Sequence, residues 1–238
     1  MRNILISGAN SGIGLKIAYK ELLEGNRLSL GVRDTEAIKG SILDPNKWKK
    51  GQVIVNRYDA LNINTSKEWI KNTTGIFGSI DTLINCAGTL SKVPFLYKEE
   101  EKKEILKTMN INFFSVWELC KLSWGNLESS NRGRIITLVS MSGKRSKGDL
   151  AAYSSSKFAL MSLCQTMRNK GWDKNIRVTA ICPSWVNTKM ANQVNSINKF
   201  DMSQPEDIAD ICSMILKLPK QSVPFEIQVN CNLENQVI

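Results

Sequence analysis

The stretch SGANSGIG, residues 7–14, links a short apolar run to an amphipathic segment and carries most of the information about the fold class. The preceding run, NILIS (3–7), is typical of a buried strand, and residues 12–25 place apolar side chains at helical spacing. Gly8, Gly12 and Gly14 permit a tight turn, and the following helix offers free N–H groups to a phosphate. The sequence therefore predicts a phosphate-binding turn, with a purely structural turn as the alternative.

Strand and helix patterns alternate along the rest of the chain. Apolar runs predict further strands at 27–32, 52–58, 80–88, 133–140, 176–183 and 224–230. Helical patterns cover a stretch from about Thr65, then residues 98–127, Tyr153 to about Lys170, and 204–218. This alternation predicts an α/β fold, a doubly wound, Rossmann-like parallel sheet with helices on both faces. No linker or internal repeat interrupts it, so we predict a single domain over 1–238.

Composition narrows the classes of function. The 238 residues include no histidine, which excludes histidine-based triads and most zinc chemistry, and we predict no metal site. Six cysteines are scattered without a CxxC pair, and no segment resembles a signal peptide or a membrane span, so we predict a reduced, cytoplasmic protein with no membrane partner. The net charge is +10, but no nucleic-acid-binding motif is present and we expect no nucleic-acid partner.

Tyr153 and Lys157 lie one helical turn apart in AAYSSSKFAL (151–160). Taken alone, this pair more often means two side chains sharing one face of a helix. The chemical interpretation is that the ammonium group lowers the pKa of the phenol, which then serves as an acid and a base. Motifs elsewhere in the chain decide between these interpretations.

Four further motifs follow the glycine turn in order. They are NCAG (85–88), INFFS (111–115), Ser140 with YSSSK (153–157), and CPSWVNTKM (182–190). With this set the chain resembles the short-chain dehydrogenase/reductase family over nearly its whole length. It departs from the family pattern at Ser7, where the family carries threonine, at Cys86 in the family's N-N-A-G motif, and at Ser184, where the family carries glycine.

The resemblance implies four catalytic residues, Asn112, Ser140, Tyr153 and Lys157. Tyr153 would give a proton to a carbonyl oxygen or take one from an alcohol, and Ser140 would hydrogen-bond that oxygen. Lys157 would lower the pKa of the phenol and hydrogen-bond the nicotinamide ribose. Asn112 would position a water, with a hydrogen bond to the backbone as its structural alternative. Ser142 is a competitor for the role of Ser140.

The same resemblance implies a nicotinamide cofactor. We expect NADP(H) rather than NAD(H), because Val32 and Arg33 stand where an acidic residue would repel a 2′-phosphate, although the neighbouring Asp34 argues the other way. Asp59 matches the family's adenine-contacting acid. The cofactor-binding residues that we predict are Gly8, Asn10, Ser11, Gly12, Ile13, Gly14, Arg33, Asp59, Ala60, Asn85, Ala87, Gly88, Tyr153, Lys157, Pro183, Val186 and Thr188.

We therefore predict hydride transfer between this cofactor and a small carbonyl or alcohol substrate. Lys144, Arg145 and Lys147 suggest an anionic substrate, such as a sugar nucleotide or a carrier-bound acyl group, or else a solvated basic loop. The alternative function is a non-catalytic NADPH-binding sensor or scaffold. The family expectation is a homodimer or homotetramer with its interface near 98–127 and 153–170. The short segment between Thr188 and Pro205 predicts an open site, or one completed by a partner subunit.

Overall fold

One parallel sheet carries all the strands of the described chain. A computed structural model describes residues 1–146, 148–193 and 197–232. The strand order across the sheet is β3-β2-β1-β4-β5-β6-β7, and every neighbouring pair is parallel. The strands are β1 (Asn3–Ser7), β2 (Arg27–Val32), β3 (Val53–Arg57), β4 (Thr82–Asn85), β5 (Arg134–Leu138), β6 (Arg177–Pro183) and β7 (Glu226–Val229). The predicted α/β fold with a doubly wound parallel sheet is confirmed.

Helices cover both faces of the sheet. They are α1 (Gly12–Leu23), α2 (Ile63–Phe77), α3 (Lys102–Met109), α4 (Ser115–Ser129), α5 (Ala151–Gly171) and α6 (Pro205–Lys217). Successive strand residues face opposite sides, so Ile4 and Ile6 of β1 pack with α1 and α6, whereas Leu5 packs with α2, α4 and α5. Burial of these two apolar layers supplies the main driving force for folding.

The strand order places a crevice at the carboxyl ends of β1 and β4. The chain runs outward from β1 through β2 to β3, and then returns to the other side of β1 to form β4. The loops after β1 and β4 therefore leave in opposite directions, and open α/β sheets bind their ligands at such a switch point. SGANSGIG follows β1 and NCAG begins in β4, so both motifs meet at this crevice.

The long helix predicted over 98–127 differs from the structure in one respect. Its backbone changes winding twice, from α3 to a π-helical turn at Asn110–Phe114 and then to α4. A π turn inserts an extra residue into the helix and is frequent at functional sites. Here it contains Asn112, so the irregularity lies on a predicted site residue.

Two predictions from composition can be compared with the structure. All six cysteines are free thiols, four of them buried and Cys86 and Cys231 partly exposed. Four of the six cysteines therefore lie in the core. In the described part of the chain, no helix is both long enough and apolar enough to cross a bilayer.

Candidate active site

At two positions of the turn after β1, any side chain larger than that of glycine would collide with nearby backbone. Gly8 has φ +70°, and a β-carbon there would lie 3.0 Å from the backbone of Ala87. A β-carbon on Gly14 would lie 2.3 Å from the carbonyl oxygen of Gly8, closer than side chains tolerate. The missing side chains allow α1 to begin immediately beside the ends of β1 and β4.

Ser7 ties the two sides of the crevice together. Its hydroxyl oxygen accepts hydrogen bonds from the backbone N–H groups of Cys86 and Ala87, both at 3.2 Å. A serine hydroxyl is enough for these two bonds, so the replacement of the family's threonine leaves the connection intact. The first turn of α1 contains no acidic residue to offset the positive end of its dipole. The crevice therefore suits an anionic group.

A groove of about 1280 Å³ runs from the glycine turn across the ends of β1, β2 and β4. It is lined by most of the residues predicted to bind the cofactor. These are Gly8, Asn10, Ser11, Gly12, Ile13, Gly14, Arg33, Asp59, Ala60, Ala87, Gly88 and Thr188. Among the described residues that line the groove, three carry a positive charge and one carries a negative charge. The cations are Arg33, Lys107 and Lys189, and the acid is Asp59. This charge balance fits a dinucleotide carrying several phosphates.

Arg33 and Asp34, at the end of β2, have different surroundings. Arg33 is exposed, lines the groove, and has no ion pair among the described residues. Asp34 accepts a hydrogen bond from the backbone N–H of Glu36 at 3.0 Å and does not line the groove. The guanidinium of Arg33, and not the carboxylate of Asp34, therefore lies in the wall of the groove.

The structure corrects one member of the predicted cofactor-binding set, the side chain of Asn85. Its amide nitrogen donates to the hydroxyl of Thr137 at 3.2 Å and to the sulfur of Cys120 at 3.5 Å. The side chain is buried and lies outside both the groove and the cavity beside it. Successive strand residues face opposite sides, so the side chain of Asn85 faces the α4 side of the sheet, where it joins β4 to β5.

A second cavity of about 960 Å³ adjoins the groove. It is lined by Ser140, Tyr153 and Lys157 together with Pro183, Val186 and Thr188. The cavity and the groove share part of their walls, namely Ile13, Cys86, Gly88, Thr89, Thr188 and Met190. A molecule extended along the groove can therefore bring one end into the cavity.

Helix α5 presents Tyr153 and Lys157 to this cavity from the same face. The ammonium of Lys157 lies 5.7 Å from the centre of the Tyr153 ring and donates to the carbonyl oxygen of Leu138 at 3.0 Å. Burial lowers the pKa of Lys157 to about 8. The pair is thus brought to the predicted position, with the lysine still largely protonated at neutral pH.

The phenol of Tyr153 differs from the prediction in one respect. Burial raises the pKa of Tyr153, and its interaction with the Ser140 hydroxyl lowers the pKa by a smaller amount. The expected lowering of the phenol pKa by Lys157 does not appear here, because burial is the largest cause of the shift and the Ser140 hydroxyl is the group that lowers the pKa. The phenol is therefore fully protonated at neutral pH and suited to donating a proton.

The backbone of Ser140 has φ 127° and ψ 155°, a conformation that residues other than glycine rarely adopt. Such strain is found at functional sites and is held by surrounding contacts. The Ser140 oxygen accepts the backbone N–H of Ser142 at 3.1 Å, and the N–H of Val139 donates to the carbonyl of Ile181 at 2.8 Å. The interaction with Tyr153 favours Ser140 over Ser142 as the serine nearest the reacting oxygen.

Asn112 is completely buried behind the cavity. Its amide nitrogen donates to the carbonyl of Thr89 and the hydroxyl of Ser156, both at 3.0 Å, and its oxygen accepts from the N–H of Thr89 at 2.9 Å. These bonds match the structural alternative for Asn112. Its oxygen also lies 3.3 Å, and the Lys157 ammonium 3.9 Å, from the point where Gly88 would carry a β-carbon. Both groups thus border one small space.

The three basic residues between Ser140 and Tyr153 have different surroundings. Lys144 forms an ion pair with Glu226 of β7 at 3.0 Å and does not line the cavity. Arg145 is partly buried and lines the cavity. Lys147 lies outside the described residues. Of the two described residues among these three, Arg145 lines the cavity and Lys144 does not.

Several lining residues were not found from the sequence. Thr89, Trp185, Met190 and Ala191 complete the cavity wall, and Met190 and Ala191 belong to the segment that was expected to leave the site open. Residues 194–196 of that segment lie outside the described part of the chain. These side chains come from loops and from the short 3-10 helix Lys189–Gln193, and neither kind of segment has a periodic signal in a sequence.

Comparison with known proteins gives the following matches. A family model described as short chain dehydrogenase matches residues 2–199. Agropine synthesis reductase of Rhizobium rhizogenes is 32% identical over 232 residues, which is 98% of this chain and 53% of that protein. The chain therefore spans about half the length of this relative. Acetoacetyl-CoA reductase of Allochromatium vinosum is 26% identical over 223 residues, covering 87% of this chain and 88% of that protein.

Solved structures show the same fold. The alcohol dehydrogenase of the archaeon Thermococcus sibiricus, complexed with 5-hydroxy-NADP, superposes with a TM-score of 0.84 at 24% sequence identity. The match covers 96% of each chain. At this identity the likeness establishes the architecture, while the substrate must be argued from the cavity itself.

Proposed function

The chain belongs to the short-chain dehydrogenase family, whose members are oxidoreductases that bind a nicotinamide cofactor, and from that premise we propose that it reduces a small carbonyl compound with NADPH or runs the reverse reaction. The observation that carries the proposal is the meeting of Ser140, Tyr153 and Lys157 in a cavity that opens into the cofactor groove. A protein that only bound the dinucleotide would not need this proton-transfer group, which argues against a sensor or scaffold.

Each of the three side chains has a distinct part in the proposed reaction. The bound nicotinamide supplies or accepts the hydride. Tyr153 donates its phenolic proton to the carbonyl oxygen, and the Ser140 hydroxyl donates a hydrogen bond to the same oxygen. Lys157 is charged at neutral pH and stabilises the phenolate left behind. We propose that a water held beside Gly88, between Asn112 and Lys157, returns a proton from solvent.

Arg33 supports a preference for NADP(H) over NAD(H). A guanidinium binds a phosphate in a bidentate manner and carries its charge at every physiological pH. Arg33 lies in the groove at the end of β2 while Asp34 is bonded to its own loop, so a 2′-phosphate meets a cation there.

Calorimetric titration with NADPH and NADH tests the cofactor proposal. We expect the wild type to bind NADPH about ten- to hundredfold more tightly than NADH, because charge-assisted hydrogen bonds contribute on the order of 1.5–3 kcal/mol. Arg33→Ala should remove this preference and leave NADH binding nearly unchanged. The matched control is Arg57→Ala, an exposed arginine at the end of β3 that does not line the groove. Equal affinity of the wild type for both cofactors would contradict the assignment of Arg33.

Four further points complete the proposal. We propose a homodimer or homotetramer, and a cytoplasmic location, as in the sequence-based expectation. The relatives from Rhizobium rhizogenes and Allochromatium vinosum are both reductases by name, which supports the reductive direction. The first of these names belongs to a longer protein, so its substrate is not carried over to this chain. We also propose that the substrate carries an anionic group.

A further inference from the structure

Large apolar side chains line the cavity beside Tyr153 without taking part in the core. They are Leu90, Leu150, Trp185 and Met190. The first three are partly buried, yet in the described part of the chain they neither belong to the two apolar layers of the fold nor pack against them. Met190 is 40% exposed. Because the core does not use the apolar surface of these side chains, it is available to a ligand in the cavity.

These four side chains come from three different connections of the sheet. Leu90 follows β4, Leu150 directly precedes α5, and Trp185 and Met190 follow β6. We call the four side chains the apolar wall. Since its members are brought together only by the folded chain, no local pattern in the sequence shows the apolar wall.

Trp185 is the largest member of the apolar wall, and the backbone around it is held on two sides. The N–H of Ser184 donates to the carbonyl of Val229, at the end of β7, at 2.8 Å. The N–H of Ser203 donates to the carbonyl of Trp185 at 3.2 Å, and the N–H of Asn187 donates to the carbonyl of Ser203 at 2.9 Å. These bonds tie the loop to β7 and to the segment before α6. A surface held in this way loses little conformational entropy when a ligand binds.

The apolar wall shares its cavity with the proposed proton-transfer group. Ser140 and Tyr153 line the same cavity, into which the cofactor groove opens. A carbonyl oxygen held by these two side chains leaves the rest of the substrate to occupy the remainder of the cavity. The part of the substrate next to its carbonyl therefore meets the apolar wall.

We propose that the substrate carries an apolar group beside its carbonyl, and that Trp185, together with the rest of the apolar wall, selects for this group. The inference rests on the proposed function, because it names the substrate class of the same cavity. The apolar group is a separate part of the substrate from its anionic group. Burial against the apolar wall removes apolar surface from water, so each buried methylene strengthens binding about fourfold.

Trp172 provides a matched control for Trp185. It is 46% exposed, packs with its ring 3.9 Å from the Arg177 guanidinium, and lines neither the cavity nor the groove. Trp185 does not line the groove either, so the NADPH affinity of each variant reports whether it is folded. A difference between Trp185→Ala and Trp172→Ala therefore reports on the cavity rather than on the loss of a tryptophan.

Two homologous series of compounds measure the selection for an apolar group. One series is the unbranched methyl ketones from acetone to methyl hexyl ketone, and the other is the oxo acids in which a carboxylate replaces the common methyl group. Using both series separates the effect of the alkyl chain from that of a charge. Binding is measured by saturation-transfer NMR with and without NADP⁺, and turnover by NADPH consumption. Turnover tests the proposed function, whereas the dependence of binding on chain length tests this inference, so the two can fail separately.

We expect the affinity of the wild type to rise about fourfold per methylene in at least one series, until the apolar wall is covered. Trp185→Ala should lower the affinity for the longest members about ten- to hundredfold, the range expected when a large apolar contact is lost. Trp185→Phe should keep part of this affinity, and Trp172→Ala should match the wild type. The proposal is overturned if the affinity of the wild type does not depend on chain length in either series. It is also overturned if Trp185→Ala keeps the dependence of the wild type, or if Trp172→Ala loses as much affinity as Trp185→Ala.

Discussion

At the scale of single residues, the site combines a protonated phenol with a lysine of lowered pKa. Burial raises the pKa of Tyr153 and lowers that of Lys157 to about 8, because each charged form loses its hydration in the cavity. The two shifts move the pKa values in opposite directions. At neutral pH, the resting pair is therefore a neutral acid beside a cation, which is the state needed to reduce a carbonyl.

This arrangement sets the expected pH profile of reduction. Burial raises the pKa of Tyr153 above its usual value, so the limiting ionisation is the loss of the Lys157 charge as pH rises through about 8. We expect kcat/KM for reduction to be level at neutral pH and to fall toward tenfold per unit above about pH 8. Steady-state kinetics at saturating NADPH would show it. A profile that stayed level to pH 10 would contradict the role given to Lys157.

Predictions from the sequence were least reliable for the surroundings of single residues. The Tyr153–Lys157 pair follows from its helical spacing, and its position in the cavity agrees with the prediction. The direction of the phenol pKa and the inward position of Asn85 depend on burial, which is set by parts of the chain far away in sequence. Neither can be derived from a local pattern.

At the scale of elements, the predicted strands agree with the structure to within a few residues at each end. The strands were predicted from their apolar runs and from the glycine turn. Buried parallel strands are apolar along most of their length and are therefore easy to recognise in a sequence. The π turn within the long helix was not predicted, because a single turn of different winding is too short to be read from an apolar pattern. The 3-10 turns at Glu36–Ile38 and Pro45–Lys47 were also missed, since so short an element has no period.

Helices α4 and α5 leave large apolar side chains exposed. Phe114 at the end of the π turn, Trp117 of α4 and Phe158 of α5 are each 44–50% exposed. Both helices lie on the same face of the sheet, where their inward sides share one core. We propose that these exposed aromatic residues form part of the expected subunit interface.

Light scattering coupled to size-exclusion chromatography measures this association. We expect a mass of two or four times the 26.7 kDa of one chain. Trp117→Glu should shift the mass toward a single chain, because a buried charge at an interface is costly. Met214→Glu, on α6 and 49% exposed, is the matched control and should keep the wild-type mass. A wild type that elutes as a single chain would contradict the proposed oligomer.

At the scale of the whole molecule, the sheet topology explains why distant motifs form one site. The site is built from four separate connections between strands, which contribute residues 7–14, 85–88, 140 with 153–157, and 183–188. All of these residues lie at the carboxyl ends of parallel strands or on the helix beside them. The order of the motifs in sequence was enough to predict this convergence. The substrate cavity was not predicted in the same detail, because its outer wall is made by loops.

The proposed proton transfer by Tyr153 is tested by the rate of NADPH oxidation. This rate is measured for the wild type and for Tyr153→Phe over one panel of aldehydes and ketones. The wild type should reduce at least one of them. Tyr153→Phe removes only the phenolic oxygen and should lower kcat about a hundred- to ten-thousandfold, the usual contribution of a general acid. NADPH affinity should change little. If Tyr153→Phe turned over substrate as fast as the wild type, the proton-transfer role of Tyr153 would be wrong.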